Sequence, residues 1–276
     1  MPQVLRFEQV DVFAERACQG NALAVVLAAD GLSTAQMQAF AAWTQLSETT
    51  FLLAPTLPGA HYRVRIFTPL RELPFAGHPT LGSCQVWLQH YPQCSAEEIV
   101  QECAAGAIRI RRQGSGLAFA APPLVRSGEV DPQTLATVRQ GLGLSAAQVQ
   151  ASAWVDNGPG WLGVLLGSRD EVLAIRPDYL ALGGLNVGVI APWPGGEADV
   201  EVRALMGEER CEDPVTGSLN ASLAQWLIAC GRLPTRYTAS QGTLLGRRGR
   251  VQLERTGEEV WVGGQVQGVI SGSVSL

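Results

Sequence analysis

The chain lacks several features that would point to familiar chemistries. Its six cysteines (Cys18, Cys84, Cys94, Cys103, Cys211, Cys230) form no C-x-x-C pair, so neither a zinc knuckle nor a disulfide framework is indicated. Free, buried thiols in a reducing cytoplasm are the expectation. Charged residues are only 16% of the chain, and 20 basic against 25 acidic side chains leave a net charge of -5 with no Lys/Arg-rich run. The patch that phosphate-backbone binding needs is missing, which argues against a nucleic-acid partner. The longest apolar stretch, Ala22 to Ala29, falls well short of the ~20 residues of a membrane-spanning helix. The N-terminus, Met1 to Glu8, lacks the basic start and apolar core of a signal peptide and instead alternates like a first strand. No H-x-x-x-H pair or clustered carboxylate spacing offers a metal site, and no cofactor is expected. G-x-S-x-G is also missing around Ser218, so a hydrolase triad of Ser218, His78 and Asp213 is disfavoured.

What is present is a compact, turn-rich composition, 46% hydrophobic with 31 glycines and 16 prolines, in a length that suits one or two domains. Val10 to Phe13 and Leu23 to Leu27 read as strands joined through Gln19-Gly20-Asn21. Ser33 is a natural N-cap for a helix carrying Met37, Phe40, Ala41 and Thr44, and strand-like Thr49 to Leu53 follows. Glu48 therefore falls at a helix-to-strand junction, beside Ser47. His61 to Phe67 alternates as a strand, and Pro79 suits the first turn of a helix through Gln89, close to whose N-cap lies His78. Ile108 to Arg111 and Leu117 to Phe119 make a hairpin that Ala121-Pro122-Pro123 ends. A domain boundary is expected there: an N-terminal domain over 1–121, completed by a last strand at 266–276, and a C-terminal domain over 122–265. In the second half Asp131 to Gly141 reads as a helix, with strands at Gly163 to Leu166, Asn186 to Ala191 and an alternating Val200 to Arg203. An internal echo links the halves: Pro74-x-x-Gly77-His78 and Pro214-x-x-Gly217-Ser218 each lead into a helix carrying a tryptophan, Trp87 and Trp226.

Each helix start offers open backbone amides and a partial positive charge, so two such starts would hold a carboxylate or an enolate-like oxygen without metal. Tight turns before ordinary helices explain Gly77 and Gly217 equally well. A carboxyl half removed from water ionises less readily, and Glu48 could then both give and take a proton; a plain surface Glu is the alternative. His78 is read as a donor to an anionic substrate, as a second proton carrier, or as a cap of its own helix. Asp213, held extended by Pro214, is read as orienting His78, reading a substrate amine, or making a turn.

Four stretches together resemble the phenazine-biosynthesis PhzF-like family: Gly20-Asn21 before an apolar strand, Leu46 to Phe51, Phe75 to Gly82 with its GHPTLG block, and Glu212 to Ser218 with EDPVTGS. Asp156 to Leu162, Gln241 to Thr243 and Gly246-Arg247 are similar to further family segments. The resemblance implies an α/β (α+β), diaminopimelate epimerase-like fold of two pseudo-symmetric domains, each a curved, mostly antiparallel sheet wrapped around a central helix, with the site between them. It implies a homodimeric, cofactor-free isomerase that moves a proton on a small carboxylic acid such as trans-2,3-dihydro-3-hydroxyanthranilate. Glu48, His78 and Asp213 match the catalytic positions, and Asn21, Ser47, Gly77, Gly217 and Ser218 the substrate-binding ones. Cys84 and Cys211 are displaced from the positions that a two-thiol epimerase uses. Ala22 stands where the family often has Pro, and Arg203-Ala204-Leu205 where a Phe-containing segment is common, which leaves the substrate open. An epimerase, racemase or lyase on another amino or hydroxy acid remains an alternative, as does a binding protein without turnover.

Overall fold

Ser33 begins the first helix, α1 (Thr34–Thr44), through a reciprocal capping box: its hydroxyl accepts from the Gln36 amide and the Gln36 side chain accepts from the Ser33 amide. The computed structural model describes residues 3–276. Met1 and Pro2, where the expected first strand begins, lie outside the described residues. The chain divides into two compact units, one of residues up to 120 together with 263–276, the other of residues 121–262.

The first unit contains β1 (Val4–Val12), β2 (Asn21–Val26), β3 (Glu48–Leu53), β4 (Tyr62–Phe67), the short β5 (Glu72–Leu73), α2 (Gly77–His90), β6 (Glu98–Cys103), β7 (Gly106–Gln113) and β8 (Gly116–Ala120). Pairing runs β1, β2, β3, β4, β6, β7, β8, parallel only at β2–β3 and β4–β6. The C-terminal strand, Val266–Ser275, pairs antiparallel with β1 along its whole length. The two runs read as separate strands on either side of Gln9 form the single strand β1. The register against the C-terminal strand shifts between Gln9 and Val10, a bulge that bends the strand without ending it.

Residues 77–84 of α2 are all buried, because α2 touches β1, β2, β3 and β8, strands from both ends of the pairing order. A sheet that meets one helix at both ends has to curve around it. Gly82 allows the close approach: a Cβ there would lie 2.5 Å from Leu23 Cδ2. Meanwhile α1 packs against β3 and β4, burying Met37, Phe40, Phe51 and Phe67 in one cluster.

The second unit contains β9 (Arg126–Gly128), α3 (Pro132–Leu142), β10 (Ala151–Asp156), β11 (Trp161–Leu165), α4 (Arg169–Ala174), α5 (Tyr179–Leu182), β12 (Asn186–Pro192), β13 (Val200–Met206), β14 (Cys211–Asp213), α6 (Gly217–Ala229), β15 (Arg236–Gln241), β16 (Gly249–Thr256) and β17 (Glu259–Gly264). The C-terminal strand is then β18. From β10 to β16 the pairings repeat those of β1 to β7: antiparallel, parallel, antiparallel, then a short antiparallel branch, parallel, antiparallel. The helices α2 and α6 occupy the same place in the two orders, which is the internal echo of the sequence expressed as topology.

The alternating Val200 to Arg203 lies in β13 as expected, and its charged residues are buried too, Glu201 and Arg203 being 0% and 3% exposed. Glu201 accepts from Arg169 Nε at 3.0 Å and from the Thr243 hydroxyl, and Arg203 binds Glu212 through two nitrogens, so paired charges replace water on that face. One expectation needs correction: the thiols are not uniformly buried, since Cys84 and Cys103 are, whereas Cys18, Cys211 and Cys230 are exposed.

Candidate functional site

In the first unit, α2 opens Gly77-His78-Pro79 after Ala76, whose side chain can make no cap. Pro79 has no amide to satisfy, and Thr80 returns both its amide and its hydroxyl to the Ala76 carbonyl. The His78 ring is thus carried into the interior, 4% exposed. On the neighbouring strand Glu48 opens β3, in register with Leu23 of β2. Its Oε2 lies 3.4 Å from His78 Nε2, with the Glu48 side chain 15% exposed.

Burial lowers His78 to about 3, outweighing a hydrogen bond with the Ala22 backbone that favours the charged ring. A bond that favours the charged ring is one the ring donates. Nε2 has no hydrogen-bond partner, which leaves Nδ1 as the donor to Ala22. The imidazole is therefore neutral, with its unprotonated Nε2 next to the Glu48 carboxyl. Of the other expected residues of this unit, Asn21 is buried at the start of β2, Ser47 is exposed just before β3, and Gly77 is buried at the first turn of α2.

The second unit builds its helix start differently. Thr216 donates its hydroxyl to Asp213 Oδ2. Gln241, fully buried on β15, donates through Nε2 to the Asp213 carbonyl and the Thr216 hydroxyl, and accepts at Oε1 from the Thr216 amide and Asn220 Nδ2. This one side chain holds the whole Asp213–Gly217 turn. Ser218, in the first turn of α6, accepts at Oγ from Trp161 Nε1 at 3.1 Å, and its carbonyl accepts from Asn157 Nδ2 at 3.0 Å. With an indole donating to its oxygen, the Ser218 hydroxyl has its hydrogen left to give, so it suits an acceptor on a ligand.

Reasoning from residues alone overlooked Thr216, Gln241, Trp161 and Asn157 as parts of this arrangement. Their signal was present in the Asp156–Leu162 and Gln241–Thr243 segments, but nothing in a lone Gln on an apolar strand tells that it ties down a distant loop. Burial pushes the Cys84 thiol up to about 12 and also raises that of Cys211, which suits neither to proton abstraction. Among the described residues, no three His, Cys, Asp or Glu side chains gather as metal ligands.

Residues 10–272 match the PhzC-PhzF family, described as phenazine biosynthesis-like protein. The chain belongs to that family. The trans-2,3-dihydro-3-hydroxyanthranilate isomerase of Pseudomonas fluorescens is 32% identical, with 86% of each chain covered. The antisense-enhancing sequence 1 protein of Schizosaccharomyces pombe is 34% identical, over 96% of this chain and 97% of that one. A PhzF-family crystal structure from Enterococcus faecalis superposes with a TM-score of 0.81 at 28% identity, covering 99% of this chain and all of the other. The epimerase-like α/β architecture expected from the GHPTLG and EDPVTGS blocks is the one observed, and this family member is an enzyme of the isomerase class. None of its helices is long and apolar enough to cross a membrane among the described residues.

Proposed function

We propose that this PhzC-PhzF protein moves a proton between carbons of a small carboxylic acid such as trans-2,3-dihydro-3-hydroxyanthranilate, with Glu48 as the acid and base. The observation that carries this is the placement of the Glu48 carboxyl 3.4 Å from the Nε2 of a buried, neutral His78. Glu48 takes the proton as a carbon–hydrogen bond breaks, and the electron pair moves into the adjoining double bond. That double bond shifts, and the Glu48 oxygen–hydrogen bond breaks as a new carbon–hydrogen bond forms further along the substrate. No net atom or electron is gained, so the step needs no redox partner. The neutral His78 ring lies against the carboxyl without a positive charge that would hold it ionised, so Glu48 is able to keep the proton between the two steps.

Open amides at the Gly77 and Gly217 helix starts are proposed to bind the substrate carboxylate. The Ser218 hydroxyl, with its hydrogen left to give, fits an acceptor oxygen, and Asp213, Asn21 and Ser47 are proposed as further polar contacts to the substrate. A homodimeric, cytoplasmic protein is proposed with the same reading, testable by light scattering of the purified chain and by fractionation.

The test uses trans-2,3-dihydro-3-hydroxyanthranilate in deuterated water, followed by NMR. The native chain shifts the double bond and incorporates solvent deuterium at the receiving carbon. Glu48→Gln keeps binding, measured by calorimetry, and loses turnover by on the order of 10² to 10⁴. Turnover left intact in Glu48→Gln would sink the reading.

A further inference from the structure

Asp11 is a carboxylate 1% exposed in the middle of β1, outside every motif considered above. Its Oδ2 accepts from the amides of Gln19 and Gly20, at 2.7 and 2.8 Å, while Oδ1 is buried without a hydrogen-bond partner. Burying a carboxylate to hold two amides of an exposed connection is costly for a turn alone, and the connection it holds is under strain. Phe13 and Cys18 both take left-handed backbone conformations, with φ of 60° and 66°, unfavourable for residues with a side chain. Gly20 crosses the strand so closely that a Cβ would lie 2.1 Å from the Val12 carbonyl oxygen.

The next residues of this turn are Asn21 and Ala22, paired with Val12 and Asp11 in the β1–β2 ladder. The Ala22 backbone is where the His78 ring is anchored, and the opposite nitrogen of that ring faces Glu48. A path thus runs from the Asp11 carboxylate through two turn amides and along the chain to Ala22, then to the imidazole and, 3.4 Å further, to Glu48.

We infer that Asp11 is a positioning residue: by clamping the Gln19–Gly20 turn it sets the Ala22 carbonyl that holds His78 in the tautomer with Nε2 free for Glu48. This rests on the proton-transfer reading for its effect on turnover, whereas its effect on the ring does not depend on that reading.

The experiment is nitrogen NMR of the chain labelled with ¹⁵N-histidine, with turnover of trans-2,3-dihydro-3-hydroxyanthranilate measured in parallel. Only three histidines are present, so His78→Gln assigns the His78 signals. The native ring shows one protonated and one bare nitrogen. In Asp11→Ala those two signals move toward the average of exchanging tautomers, kcat falls ~10-fold and KM stays within about twofold, as expected when a catalytic geometry loosens without loss of ground-state binding. Asp11→Asn, which keeps an oxygen for both amides, restores both properties. Gly20→Ala displaces the same turn while keeping the Asp11 carboxylate in the chain and moves the same signals, which covers the case in which Asp11→Ala does not fold. His78 signals unchanged in a folded Asp11→Ala or Gly20→Ala chain overturn the inference, and so does an Asp11→Asn chain as impaired as Asp11→Ala. If Glu48→Gln retains turnover, the functional reading fails while the His78 signals still decide the role of Asp11.

Discussion

At the residue scale, the neutrality of His78 has a consequence for stability. A histidine in the unfolded chain takes up a proton below about pH 6.5, whereas His78 in the fold is held down to about 3. Between those values the unfolded state binds the extra proton, so stability falls as the pH drops, by up to ~1.4 kcal/mol per pH unit. Above pH 6.5 both states are neutral there and the effect vanishes. His78→Gln should therefore show a flatter decline in urea midpoint between pH 7 and 5 than the native chain; parallel curves would show that the ring is not kept neutral. That His78 belongs near a helix start is legible from Gly77-His78-Pro79 itself. That it is neutral is not, because burial by β1, β2 and β3 is a property of contacts far apart in the chain.

At the element scale, the second helix start depends on how β14 is held. Arg203 on β13 grips Glu212 of β14 through Nε at 3.0 Å and Nη2 at 2.8 Å, and gives Nη1 to the Val172 and Ile175 carbonyls. Both side chains are nearly buried, 4% and 8% exposed, so removing one partner strands the other. Arg203→Met should cost about 3–5 kcal/mol in chemical denaturation, and adding Glu212→Leu should recover a large part of it. A loss below about 1 kcal/mol in the single variant would mean the pair is not a structural clamp. The alternating pattern of β13 is legible as a strand, but that its charged face is buried is not, because the partners come from α4 and β14. The starts of α1 and α3, by contrast, are local: Ser33 and Asp131 each accept from the amide three residues on, Ser33 as the cap it was read to be and Asp131 one residue outside the helix it was read to begin.

At the scale of the whole molecule, the first unit is discontinuous. Its β1 has β2 on one side and β18, the last strand of the chain, on the other. A chain ending at Gln265 therefore leaves one side of β1 unpaired from Val4 to Val12. Limited proteolysis should then degrade the first unit while sparing fragments of the second, whose strands β10 to β16 pair without residues 266–276. Protection of the first unit in the shortened chain would show that β18 is dispensable. The repeat of pairing order across the units accounts for two glycine-led helices with tryptophans at nearly the same offset.

The sequence by itself determined what short-range chemistry can encode: the capped helices, the Gly-Ser turn of the β7–β8 hairpin, the two uncapped helix starts, and through its two motif blocks the family. Tertiary structure decided the protonation and direction of the groups at those starts. The neutral His78 ring, the Ser218 hydroxyl that accepts from Trp161, the Gln241 tie and the Asp11 clamp all come from side chains brought together from distant parts of the chain. Desolvation and hydrogen-bond partnership are set by what surrounds a group in space, and no local pattern of residue types specifies that surrounding.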